Sequence, residues 1–267
     1  MLLRKILSDF TKLISLLTPI PTPRSSNDLS LGSLYLLPLV GLVRSSLAVL
    51  ALVLISLVSR DLIYVETSLV VFMHFVSQGF LHADGLIDFS EALLASRFGR
   101  DPYKVMKDVY KGSYAIAVFA IYLLILYSSM LTLLEKLSVS AAALVIVSAE
   151  IFSLTTSIPL ALLGREAPEG MGRIFKKSLR SRDASLSILI DFLLILLISL
   201  LIHMSLGLVI RILIISALSL IFSLIISHLL SSRVLGFVSG DVIGFSIEVA
   251  YATNILLAAA CIAPLNQ

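Results

Sequence analysis

Residues 185–202 read SLSILIDFLLILLISLLI, eighteen positions with a single charged side chain, and residues 212–226, ILIISALSLIFSLII, carry none. A helix rising 1.5 Å per residue needs about 20 such residues to cross the hydrocarbon core of a bilayer. The same texture fills the chain. Of 267 residues, 58% are hydrophobic and 14% charged, and the mean hydropathy is +1.06. Soluble domains carry about 25% charged residues, so a soluble protein of this length would have too few polar groups for its surface. The short alternating segments of a β-barrel are absent. The reading is an all-α, polytopic membrane protein.

Working outward from that run, about seven transmembrane helices are expected, at 34–58, 62–81, 113–134, 137–163, 185–205, 207–231 and 241–264. The N-terminal stretch MLLRKILSDFTKLISLL has Arg4, Lys5, Asp9 and Lys12 at helical spacing among apolar residues, which predicts an amphipathic helix on the membrane surface rather than a cleaved signal. TPIPTPRSS (18–26) ends it, because its prolines cannot continue a helix. No compositional break divides residues 1–267, so a single integral-membrane domain is expected, with 1–33 as an interfacial segment. The lone Cys261 excludes a disulfide framework and a cysteine metal site.

Orientation follows from lysine and arginine in the connections. Residues 1–33 carry Arg4, Lys5, Lys12 and Arg24; segment 82–112 carries Arg97, Arg100, Lys104, Lys107 and Lys111; segment 164–184 carries Arg165, Arg173, Lys176, Lys177, Arg180 and Arg182. The intervening turns have only Arg60 and Lys136. This alternation predicts a cytoplasmic N-terminus in a cell membrane, with 82–112, 164–184 and 232–240 on the same face and the C-terminal tail outside.

The unusual residues gather on that face. HADGLIDFSE (82–91) places Asp84, Asp88 and Glu91 at i, i+4 and i+7, one stripe of a helix, where like charges repel unless a cation compensates them. SGDVIGFSIE (239–248) repeats the pattern with Asp241, Gly244 and Glu248, the last carried into a span where a carboxylate is a functional candidate. Hard oxygen ligands suit Mg²⁺, which is commonly held by one or two carboxylates and substrate phosphates. The expectation is a Mg²⁺ site for a phosphate-bearing substrate; the plainer alternative is a solvated acidic loop. Lys107, Asp108, Lys111 and Gly112, with Arg165, Gly170 and Arg173 around a Pro/Gly turn, offer cations for phosphate. Lys176, Lys177, Arg180 and Arg182 are explained by orientation alone. His74, His203 and His228 are expected to pack or hydrogen-bond between helices. Glu150 needs a partner the sequence does not name, and Glu66, Arg44 and Arg211 are expected to snorkel to an interface. No P-loop or dinucleotide fingerprint is present, and the modest net charge of +3 suggests no nucleic-acid partner.

GFLHADGLIDFSEALL (79–94), followed by VMKDVYKGSYAI (105–116), resembles the signature of the cobalamin synthase family of adenosylcobinamide-GDP ribazoletransferases. TPIP (18–21), LPLVGL (37–42), REAPEGMG (165–172) and LGFVSGDVIGFSIE (235–248) are similar to its other conserved blocks, in order. The chain departs from the usual pattern at Gln78, Glu91, Val109 and Tyr110. The resemblance implies Mg²⁺-dependent transfer of the adenosylcobinamide phosphate group from adenosylcobinamide-GDP to the hydroxyl of α-ribazole or its 5′-phosphate, with release of GMP. It implies Asp84, Asp88, Glu91, Asp241 and Glu248 as metal ligands, and His82, Asp84, Asp88, Lys107 and Lys111 as catalytic groups. Gly85, Asp108, Gly112, Arg165, Gly170, Gly240 and Gly244 would lie against substrate. The lipid bilayer is the expected surrounding, and homo-oligomers or other corrinoid-pathway enzymes are open as partners. A CDP-alcohol phosphotransferase is excluded because its signature does not continue after Gly85. A cation-coupled transporter, with Glu66, Glu150 and Glu248 as relay groups, is the rival of another class.

Overall fold

A computed structural model describes residues 2–22 and 31–262. Pro23–Ser26 of the proline-rich stop, Arg24 with them, and the C-terminal tail past Ile262 lie outside the described residues. Those residues form eleven α-helices: α1 (Leu2–Leu17), α2 (Leu37–Val58), α3 (Ile63–Ser77), α4 (Leu81–Arg97), α5 (Pro102–Met106), α6 (Ser113–Lys136), α7 (Val139–Leu163), α8 (Met171–Ser178), α9 (Ser181–Leu201), α10 (Leu206–Val234) and α11 (Gly240–Cys261). Six are long and apolar enough to cross a membrane, and the bent pair α3–α4 makes a seventh if it counts as one span. The chain is a multi-pass, all-α membrane protein.

The expected second span, 62–81, is shorter than its apolar run. It stops at Ser77, and Gly79 and Phe80 both take positive φ (59° and 61°), turning α4 away from α3 by 86°. Glycine adopts that conformation freely, whereas Phe80 is held there at some cost. Phe80 N–H still reaches Phe75 O at 3.0 Å. The turn lays the acidic stripe of α4 across the bundle instead of along it.

At the centre stands α7, buried along almost its whole length and packed against α2, α9, α10 and α11. It packs tightly on α2, where a Cβ on Gly41 would meet Ile151 Cα at 2.9 Å and Glu150 O at 3.0 Å. That contact brings Arg44, about one turn further along α2, to Glu150 at 3.1 Å with both side chains fully buried. Arg44 and Glu66 therefore do not snorkel to an interface; both are buried. The one acid of the opening stretch, Asp191, is likewise buried and accepts a 3.0 Å hydrogen bond from Thr155 of α7. Around it Leu189, Leu193, Leu196, Leu197 and Leu200 are exposed, the face a lipid-contacting helix presents. On α10 the buried side is a column of Ser216, Ser219, Ser223, Ser227 and Ser231, small residues that allow close packing between membrane helices. Ser223 donates to Ser246 O at 2.6 Å, and Asn254 of α11 donates to Ser216 at 2.9 Å.

Two glycine substitutions separate these effects. Gly41→Ala drives a methyl into the α7 backbone, which cannot swing aside, so overpacking of about 1–3 kcal/mol exceeds the gain in helix propensity. Gly207, in the first turn of α10, has open space where its Cβ would be. Thermal unfolding in detergent should show Gly41→Ala clearly below the parent protein and Gly207→Ala level with it or slightly above.

Candidate active site

The right-angle turn after Ser77 sets α4 across α11, and two glycines fix how closely they cross. A Cβ on Gly85 would lie 2.8 Å from Asp241 O, and one on Gly244 would lie 3.2 Å from His82 Cα. Ser239 caps α11 by accepting from Val242 N–H at 3.3 Å, leaving Asp241 in the first turn, where a carboxylate suits the positive end of the helix dipole. Asp88 of α4 is thereby brought into electrostatic range of Asp241 as well as of the exposed Asp84 on its own helix, though the two acidic motifs lie about 150 residues apart.

The α5–α6 connection closes over these acids. Lys111 Nζ pairs with Asp88 Oδ1 at 2.7 Å and donates to Asp108 O at 2.6 Å and Met106 O at 3.3 Å. Lys107 Nζ lies 3.6 Å from Asp241 Oδ2. Burial pushes the Asp88 carboxyl up to about 6; Lys111 pulls against that shift, while Asp84 and Asp241 add to it. The third wall is the loop before α8. Gly172 packs on the start of α11, where a Cβ would be 2.6 Å from Gly240 N, and Val238 N–H donates to Arg165 O at 3.0 Å. Arg173 holds this loop through Glu166 (2.8 Å) and Pro168 O (2.9 Å) and keeps the Glu166 carboxyl below its usual range. Lys176, read from sequence as an orientation charge, donates to Ala161, Leu162 and Gly164 carbonyls and so caps α7.

Of the expected site residues, the structure brings together Asp84, Asp88, Lys107, Lys111 and Asp241, with Gly85, Asp108, Gly240 and Gly244 in the surrounding backbone. Arg165 is exposed on the neighbouring loop. Three of the expected residues lie apart from this group. Glu91 is turned to α6, where its Oε1 accepts from Gly112 N–H and Ala115 N–H, both at 3.1 Å; it caps a helix start. Glu248 is fully buried and bonded to Gln78, Tyr122 and His74, away from the other acids. His82 is also buried, its ring surrounded by Arg44, His74 and Glu248 rather than by the paired aspartates. Among the described residues, no three acidic, histidine or cysteine side chains form a metal cage on their own.

The network around Glu248 is what the sequence reading missed. His74 Nδ1 meets Glu150 Oε1 at 2.5 Å, His74 Nε2 lies 3.3 Å from Glu248 Oε2, and Tyr251 stacks on the imidazole at 3.7 Å. Gln78 donates to Glu248 at 2.8 Å and accepts from His82 N–H at 3.1 Å. A signal was present: His74, Gln78 and His82 recur every fourth residue, and Arg44 and Glu150 are opposite charges at comparable depth in two spans.

The sequence profile of the cobalamin-5-phosphate synthase (CobS) family matches residues 9–260. A Clostridium perfringens (strain 13 / Type A) protein named adenosylcobinamide-GDP ribazoletransferase is 29% identical over 125 residues, 46% of this chain and 49% of its own length. An Archaeoglobus fulgidus protein of the same name is 32% identical over 107 residues, 40% of this chain and 42% of its own. The chain thus matches less than half the length of these curated relatives. No solved structure matches.

The assignment of Glu91 can be checked directly. Glu91→Ala leaves two backbone N–H groups at the start of α6 without their acceptor and should lower stability by about 1 kcal/mol. Glu91→Gln keeps an acceptor oxygen, so its thermal midpoint should stay near that of the parent protein.

Proposed function

The chain belongs to the cobalamin-5-phosphate synthase family, and on that premise we propose that it transfers the adenosylcobinamide phosphate group of adenosylcobinamide-GDP to a hydroxyl of α-ribazole or its 5′-phosphate. The observation that carries this reading is the pair of lysine–aspartate contacts at the α4–α11 crossing, Lys111–Asp88 at 2.7 Å and Lys107–Asp241 at 3.6 Å, with exposed Asp84 beside them. Phosphoryl transfer asks little of a protein beyond positioning and charge neutralisation. This edge offers both signs of charge on elements fixed by close backbone packing.

In the proposed reaction the acceptor hydroxyl oxygen attacks the phosphorus on the cobinamide side of the diphosphate. A P–O bond to the acceptor forms as the P–O bond to the GMP phosphate breaks, and GMP leaves with the bonding pair. Lys107 and Lys111 hold diphosphate oxygens and offset the charge gathering on the leaving group. The carboxylates of Asp84 and Asp88 take up the hydroxyl proton or pass it to water. Carboxylates of Asp84 and Asp88 are the donor type that would hold Mg²⁺ where substrate phosphates supply the remaining ligands. When bound there, the ion would polarise the diphosphate and lower the charge on its oxygens. The site is read as cytoplasmic from the Lys/Arg alternation of the connections. The buried acids Glu150 and Glu248 are tied by Arg44 and His74 into one knot, which favours a structural role for them over ion transport.

The test is GMP release from adenosylcobinamide-GDP by proteoliposomes holding the protein, with Mg²⁺ and either acceptor. Turnover should need all three, and Asp84→Asn or Asp88→Asn should lower it by at least about 100-fold. Full Mg²⁺-dependent turnover in Asp84→Asn, or no GMP with either acceptor, would sink the proposal. The pH dependence has a definite sign. Asp88 holds its proton up to about 6, so Mg²⁺ affinity should fall as pH drops through that value, measured as the Mg²⁺ concentration for half-maximal turnover. Asp88→Asn should flatten that fall.

A further inference from the structure

Beside the paired aspartates lie three residues that the transfer chemistry does not use, Tyr103, Phe237 and Glu169. Lys107, 3.6 Å from Asp241, also stands 5.9 Å from the centroid of the Tyr103 ring. The Tyr103 ring meets Phe237 at 5.5 Å and 79°, forming an aromatic corner, and neither ring is closed into the core. The Tyr103 hydroxyl donates to Glu169 Oε1 at 3.0 Å. Glu169 sits on the turn that Arg173 pins through Pro168 O. The next residue, Gly170, takes φ 83° and has open space where a side chain would go.

Taken in order, Asp241, Lys107, the Tyr103–Phe237 corner and Glu169 run from phosphate chemistry to a stacking platform to a carboxylate at the platform's far edge. A purine nucleotide has the same sequence of parts: phosphate, flat ring, hydrogen-bonding edge. Stacked on Tyr103, a purine would present its outer edge at the hydroxyl end of the ring, where Glu169 stands. Guanine presents two donors there, N1–H and the 2-amino group, which a carboxylate accepts together. Adenine presents the N1 lone pair, which a carboxylate repels. We propose that Tyr103, Phe237 and Glu169 form a guanine-selective subsite that holds the nucleotide half of the donor while Lys107 reaches its phosphate. The proposal rests on the reaction assigned above for why a guanine nucleotide should come to this face, but the site itself is defined by binding and needs no turnover.

The test measures binding of GMP, IMP and AMP to the full chain in nanodiscs, alongside GMP release from adenosylcobinamide-GDP. IMP keeps N1–H and lacks the 2-amino group. The parent protein should bind GMP roughly 10-fold tighter than IMP and on the order of 100-fold tighter than AMP. Glu169 is exposed, so Glu169→Ala folds; it should bring the three affinities within about 2- to 3-fold of one another. Tyr103→Ala should weaken all three nucleotides by roughly 10-fold and preserve their ranking, as loss of a stacking surface does. An unchanged GMP-to-IMP ratio in Glu169→Ala, or a parent protein that binds AMP as well as GMP, overturns the subsite. If GMP binds with this selectivity but none is released from the donor, the reaction assignment fails and the subsite stands. If GMP is released while the ratios ignore Glu169, the reverse holds.

Discussion

Four ionisable groups meet out of reach of water: Arg44 on α2, Glu150 on α7, His74 on α3 and Glu248 on α11. Ion pairs in a low-dielectric interior constrain a fold because each partner needs the others. Removing one member of a buried pair typically costs about 3–5 kcal/mol, since it leaves an uncompensated charge. Four helices distant in sequence are thus held in one register by contacts that tolerate little slippage. The leucines and isoleucines around them could repack in many ways, since lipid and protein interior are about equally apolar.

From this knot the constraint passes towards the surface through Gln78. Gln78 donates to Glu248 and accepts the N–H of His82, linking the end of α3 to the start of α4 across the left-handed turn at Gly79 and Phe80. The turn directs α4 over α11, and the Gly85–Gly244 contact lets the two backbones come near enough for Asp88 and Asp241 to share one edge. The paired aspartates of the active face therefore depend on a polar cluster to which their own two motifs contribute His82 and Glu248. His82 marks the junction: its backbone belongs to the acidic helix and its ring to the buried cluster.

Much of this was legible in the sequence. Apolar runs located the spans to within a few residues, since hydropathy and length are one-dimensional quantities. The i, i+4 spacing of Asp84 and Asp88, the place of Asp241 at the start of the last expected span and the charge alternation put two remote motifs on one expected face. What could not be read was direction. Glu91 and Glu248 continue their stripes in sequence, yet a helix face broadens over two turns, so Glu91 reaches α6 and Glu248 descends into the bundle. Arg44 looked like a snorkelling residue because its depth was visible and its partner on α7 was not. The break at Gln78–Phe80 was hidden inside a continuous apolar run, where a helix is favoured locally and only the packing of α4 on α11 selects the bend.

The lysine–aspartate pairs give the active face a further property. Lys111 with Asp88 and Lys107 with Asp241 offset one another, so of the five charges on this edge the exposed Asp84 alone is left unmatched. A lone cation arriving there would strand two ammonium groups, and a lone anion, including a lipid headgroup, would strand two carboxylates. Only a visitor carrying both signs can take over both halves of each pair at once. The paired arrangement thus favours a cation and a polyanion that arrive together over either one alone.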